Sequence, residues 1–76
     1  MTRDQMVEIA RTHVERHMKI PDGSLPDEIY DSAYLLASQR LREAGAQWPD
    51  VDAIAAKVAR DLAEKFAADM SPGKRR

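Results

Sequence analysis

The chain contains no cysteine among its 76 residues. It can therefore form no disulfide, no thiolate metal site and no cysteine nucleophile, and this composition fits a reducing compartment. Long uninterrupted apolar runs are also missing, and the first five residues match neither a secretory signal nor a membrane span. We therefore expect a cytoplasmic protein that makes no contact with a membrane.

Large apolar side chains are scarce. Only four residues are aromatic, and alanine supplies 12 of the 33 hydrophobic residues. Each alanine buries far less apolar surface than a leucine would. A chain of this length forms one domain and buries only about 60% of its unfolded surface. We expect a thin core, and therefore either marginal stability or a homodimer.

A basic surface is missing as well. The net charge is −1, but Lys74, Arg75 and Arg76 end the chain, so residues 1–73 carry 9 basic and 13 acidic side chains. Clustered lysine and arginine supply most non-specific affinity for nucleic acid. The composition therefore disfavours nucleic acid as the partner. We expect residues 71–76 to form a disordered basic tail.

Hydrophobic periodicity predicts three amphipathic helices, at about 3–19, 25–44 and 51–69. Turn-forming residues separate them, Pro21-Asp22-Gly23 after the first helix and Gly45 after the second. Short connections favour antiparallel neighbours. We therefore predict an all-α, three-helix antiparallel bundle over residues 1–70 that runs up, down and up. The alternative is a helix-turn-helix-like crossing.

Several residues suit helix starts and the core. Thr2 and Gln5 form a capping-box pattern, while Ser24 and Asp50 are expected to cap the second and third helices. Trp48 is expected to fold over the bundle end. The predicted core stripes are Met6, Val7, Ile9, Ala10, Val14, Met18 and Ile20; Ile29, Tyr30, Ala33, Tyr34, Leu36, Ala37, Leu41 and Ala44; and Val51, Ile54, Ala55, Val58, Leu62 and Phe66.

Two residues of the second helix break its pattern. Arg40 falls within the apolar stripe, where we expect it to snorkel to solvent or to pair with a carboxylate at the bundle edge; the alternative is a contribution to an interface hot spot. Leu35 falls on the polar side. If Trp48 or Met70 lies beside it, Leu35 marks a partner-binding surface.

Acidic residues gather at the start of the second helix: Asp22, Asp27, Glu28 and Asp31. Negative charge there complements the helix macrodipole. The alternative interpretation is a docking surface for a basic partner, or a phosphate mimic.

His13 and His17 are spaced i, i+4, so their side chains lie one above the other and could share a zinc or nickel ion. The pattern does not match a metalloprotease helix, because Glu15 points to the opposite face. Two ligands leave a metal site incomplete. We interpret both as structural histidines and predict no metal site, with a metal-linked dimer and a pH-sensitive contact as alternatives.

The sequence contains no phosphate-binding loop, no complete metal shell and no nucleophile with an evident base, which predicts a non-enzyme without a cofactor. We expect a small protein-interaction module: a regulator, accessory subunit or inhibitor of a larger complex. Its small size also fits a protein encoded by a phage or mobile element. The alternative is a DNA-binding helix-turn-helix whose third helix reads DNA through Lys57, Arg60 and Lys65. The candidate partner-binding residues are Leu35, Arg40, Trp48, Asp27, Glu28 and Asp31.

Overall fold

The computed structural model describes residues 1–69. This part of the chain consists of three helices, α1 (Arg3–His17), α2 (Pro26–Glu43) and α3 (Asp50–Asp69), and contains no strand. The predicted all-α, three-helix bundle is confirmed. The predicted tail at 71–76 lies outside the described residues. None of the three helices is long and apolar enough to cross a bilayer.

Contacts between the helices show which of their segments lie together. Met18 just after α1, Ile29 near the start of α2 and Leu62 in the second half of α3 line one cavity. A hydrogen bond joins Tyr34 in the middle of α2 to Asp52 near the start of α3. The end of α1 therefore lies against both the start of α2 and the far half of α3.

The core is built from small side chains. Six of the 13 buried hydrophobic residues are alanine, and the largest fully buried side chain is that of Leu41. Small residues let helix axes approach closely but remove little apolar surface from water. The expectation of a thin core is confirmed. The buried hydrophobic residues are Met6, Ala10, Val14, Ile29, Ala33, Ala37, Leu41, Val51, Ile54, Ala55, Val58, Ala59 and Ala63.

The first helix begins as predicted and ends early. The Thr2 hydroxyl accepts from the Gln5 amide at 3.1 Å, and the Gln5 side chain accepts from the Thr2 amide at 2.8 Å. α1 ends at His17 instead of residue 19 because Met18 is already extended, with ψ 135°. Ile20, predicted to be in the core, is therefore 46% exposed.

The predicted caps of the other two helices are wrong. Ser24 does not cap α2, since its hydroxyl donates to the Pro21 carbonyl at 2.7 Å. Leu25 occupies the cap position, and the Glu28 carboxylate accepts from the Leu25 amide at 2.9 Å. Asp50 is the first residue of α3 and not its cap. The residue at which a helix begins depends on local hydrogen bonds, which hydrophobic periodicity does not reveal.

The prediction for Trp48 is also wrong. The indole was expected to cover the bundle end, but 53% of the residue is exposed. The neighbouring Ala46 packs against the core instead, and its amide donates to the Leu41 carbonyl at 3.0 Å. The connection from α2 to α3 is thus anchored by a small side chain and a backbone hydrogen bond.

Candidate functional site

A cavity of about 270 Å³ lies between α1 and α2. The residues of α1 that line it are spaced i, i+1, i+4 and i+5, so helical geometry places them on one face. The two residues of α2 are one turn apart and belong to its last turn. We call this the interhelical pocket; its lining residues are Thr12, His13, Arg16, His17, Arg40 and Glu43.

The two histidines stand side by side in the interhelical pocket. Their ring centroids are 4.5 Å apart and the ring planes are tilted by 43°. His13 is half-buried and His17 is exposed. Desolvation lowers the pKa of His13, the positive charges of His17 and Arg40 lower it further, and Glu43 acts weakly against them. His13 is therefore held in its neutral form to a lower pH than a free imidazole.

Arg40 lies at the edge of the bundle and faces Glu43. The guanidinium Nη1 and the Glu43 Oε1 are 3.7 Å apart, and the two side chains are 44% and 68% exposed. The predicted pairing of Arg40 with a carboxylate is confirmed. A pair this long and this exposed contributes little to stability. Arg40 therefore keeps most of its capacity to donate hydrogen bonds to another group.

Within residues 1–69, the histidine pair belongs to no group of three potential metal ligands. In the described part of the chain, no group of three or more histidine, cysteine, aspartate or glutamate side chains is arranged to hold a metal ion. His13 and His17 alone would supply two of the four ligands that a zinc site needs. Any metal site here would depend on ligands from another molecule, so the metal-linked dimer stays a prediction.

A second candidate surface follows the solvent side of α2. Glu28, Asp31 and Leu35 are spaced by three and four residues, so they form one line along the helix. All three are exposed, Leu35 by 57%, which confirms its expected place on the polar side. We call these three residues the α2 outer face.

The carboxylates of this region differ in what they do. One carboxylate oxygen of Glu28 accepts a hydrogen bond from the Leu25 amide. Asp27 and Asp31 form no ion pair with any residue in the range 1–69. The α2 outer face therefore presents an exposed leucine beside negative charge that no residue in the range 1–69 neutralises through an ion pair.

Another exposed interaction ties α2 to α3. The Tyr34 hydroxyl donates to the Asp52 carboxylate at 2.6 Å. This hydrogen bond raises the pKa of Tyr34, and desolvation and the charge of Asp52 add to it. The contact helps to hold the two helices in register, so we treat it as part of the fold and not as a site.

The structure brings together some of the predicted site residues and separates others. Arg40 joins the histidine pair in one pocket, although no sequence pattern connects these three residues. Glu43, Thr12 and Arg16 were missed, and the shared face of positions 12, 13, 16 and 17 was the signal that could have identified half of the pocket. Trp48 belongs to the connection that joins α2 to α3, and Met70 lies outside the described residues. Neither is therefore shown to extend the α2 outer face.

The proposed DNA-reading side of α3 is partly neutralised. The Lys57 ammonium lies 3.4 Å from the Asp61 carboxylate, so one of its three basic residues is engaged by an acid of the same helix. Comparison with known proteins adds no further guidance, since no family model, curated protein or solved structure matches this chain.

Proposed function

We propose that this chain is a small, non-catalytic, cytoplasmic protein-interaction module that regulates, assists or inhibits a larger protein complex. The observation that carries the proposal is the α2 outer face, where Leu35 is 57% exposed beside carboxylates that form no ion pair with the described residues 1–69. The partner presents an apolar contact surrounded by basic groups.

The physical argument combines two modest contributions. Burying what remains exposed of Leu35 is worth on the order of 1 kcal/mol, which is too little for a stable complex by itself. Glu28 and Asp31 add long-range attraction toward a basic partner, which raises the rate of encounter and selects against acidic ones. The i, i+3, i+7 spacing of the three residues matches a helix that docks along its length.

A comparison of variants tests this proposal. Leu35→Glu removes the apolar contact, and Gln39→Glu places the same charge one turn away on the same exposed side of α2. We expect pull-downs with the wild-type chain and with Gln39→Glu to retain the same identified proteins, and Leu35→Glu to lose them. Circular dichroism confirms that all three chains fold.

Two outcomes contradict the proposal. If Leu35→Glu retains the same proteins as the wild type, the α2 outer face is not the binding surface. If no protein is retained but the chain shifts DNA in a salt-dependent manner, the helix-turn-helix alternative replaces it. Light scattering at several concentrations determines whether the chain itself is the partner.

A further inference from the structure

The interhelical pocket gathers positive charge on an acidic body. Two arginines and two histidines line it with a single carboxylate, that of Glu43, whereas residues 1–69 as a whole carry nine basic and thirteen acidic side chains. The macrodipoles of α1 and α2 favour basic residues in the last turn of each helix. The macrodipoles do not explain why basic residues from both helices line the same cavity. They also do not explain why Thr12 and His13, one turn earlier in α1, line it too.

We propose that the interhelical pocket binds a phosphate group, held by the guanidinium groups of Arg16 and Arg40 and by hydrogen bonds from His13, His17 and Thr12. The pocket is distinct from the α2 outer face, so this proposal does not depend on the proposed function.

The chemistry of the lining residues supports an oxyanion. Guanidinium groups donate paired hydrogen bonds in a fork that matches phosphate oxygens, and charge-assisted bonds of this kind are about twice as strong as neutral ones. Arg40 is available, because its one ion pair within residues 1–69, to Glu43, spans 3.7 Å between exposed groups. The cavity of about 270 Å³ leaves room for the ligand between the two helices.

A metal ion and a phosphate group require opposite charge in the pocket. A dication would be repelled by Arg16 and Arg40 and attracted by Glu43, whereas a phosphate would be attracted by both arginines and repelled by Glu43. Removing the charge of Glu43 therefore strengthens phosphate binding and weakens metal binding. The sign of this one effect separates the two ligand classes.

The occupied pocket should also take up protons. The charged or titratable groups that line it are His13, Arg16 and His17 of α1 and Arg40 and Glu43 of α2, and α3 contributes none. Without a ligand, burial and neighbouring positive charge keep His13 neutral to lower pH. A bound anion offsets that repulsion, so binding should be tighter near pH 6 than near pH 8. Sulfate isolates this effect because it stays dianionic across the range.

Nuclear magnetic resonance of the histidine rings in the full chain tests the proposal. The first probe is inorganic phosphate, and the second is a short phosphoserine peptide with its unphosphorylated form as control. We expect saturable shifts of both His13 and His17 with phosphate. Shifts with the phosphoserine peptide as well identify a phosphorylated protein segment as the ligand, and shifts with inorganic phosphate alone identify a free phosphate.

Charge variants provide the matched controls. We expect Arg16→Gln and Arg40→Gln each to weaken phosphate binding about tenfold. Arg42→Gln removes the same charge as Arg40→Gln from the same helix. Because Arg42 does not line the pocket and its exposed charge is screened by salt, we expect this change to alter phosphate binding less than about twofold. Glu43→Gln should strengthen binding severalfold. Thermal melts establish that each variant is folded.

Three results would overturn the proposal. The first is the absence of saturable histidine shifts with either phosphate probe. The second is equal weakening by Arg40→Gln and Arg42→Gln, which would show a response to net charge alone. The third is saturable binding of zinc that Glu43→Gln weakens, which would assign the pocket to a metal.

Discussion

At the scale of single residues, polar side chains at the bundle edge carry most of the specific chemistry. Tyr34 and Asp52 join α2 to α3 through a hydrogen bond, and His13 lies half-buried where α1 faces α2. In each case the environment favours one protonation state over the other. Each therefore contributes to stability in a way that depends on pH.

Replacing Tyr34 by phenylalanine tests the link between α2 and α3. We expect a loss of about 1 kcal/mol in the free energy of unfolding, because the change removes one hydrogen bond to a charged group at an exposed site. Urea denaturation measures it. Tyr30→Phe is the matched control, since Tyr30 is also half-buried on α2 but is not hydrogen-bonded through its hydroxyl in the described chain. Equal losses in both variants would contradict the assignment.

The pKa of Tyr34 gives the same contact a pH signature. Its pKa is raised in the folded chain. The stabilisation is therefore present below the ordinary tyrosine pKa of about 10 and is lost as the pH rises through the higher folded value. In a spectrophotometric titration of the folded chain, we expect Tyr34→Phe to remove an ionisation step that lies above the ordinary tyrosine pKa of about 10.

His13 should make the free energy of unfolding depend on pH in the acidic range, whereas Tyr34 does so in the alkaline range. Its folded pKa is lowered, so the unfolded chain takes up a proton first as the pH falls below about 6.5. The free energy of unfolding should decrease from about pH 7 to pH 5, and His13→Gln should flatten that decrease. The measurement is urea denaturation across this range in buffers without phosphate or sulfate. An unchanged slope in His13→Gln would show that other groups cause it.

At the scale of helices, amphipathic periodicity and local hydrogen bonds supply different information. Periodicity located all three helices within two residues at each end, because burial of one apolar face depends on spacing alone. The starts of α1 and α2 depend on which backbone group a nearby polar side chain reaches. Two serine or threonine residues that look equivalent in the sequence, Thr2 and Ser24, therefore have different roles.

This difference can be measured directly. Thr2→Ala should lower the free energy of unfolding by about 1 kcal/mol, because Thr2 caps α1 and is half of a reciprocal capping box. Ser24→Ala should lower it by less than about 0.5 kcal/mol, since Ser24 forms an exposed turn hydrogen bond and caps no helix. Thermal or urea denaturation of both variants gives the comparison. A larger loss for Ser24→Ala would restore it as the cap of α2.

At the scale of the whole molecule, sequence periodicity did not determine which residues of one helix lie opposite which residues of another. The stripe of α1 predicted which residues face inward, but not that Arg40 and Glu43 of α2 would lie opposite His13 and His17. That register depends on how closely the helices approach, and alanines at the contact set the distance. Hence the fold class and the exposure of Leu35 were predictable, whereas the interhelical pocket required the assembled bundle.

The dependence of the bundle on small residues leads to a final prediction. Ala59 is fully buried on α3, so Ala59→Leu should force α3 away from its neighbours and cost about 1 to 3 kcal/mol. Ala53→Leu makes the same substitution at an exposed position of α3 and should change stability by less than about 0.5 kcal/mol. Urea denaturation measures both. If Ala59→Leu is instead neutral or stabilising, the core has unfilled space at this contact and the close approach of the helices is not limited by alanine.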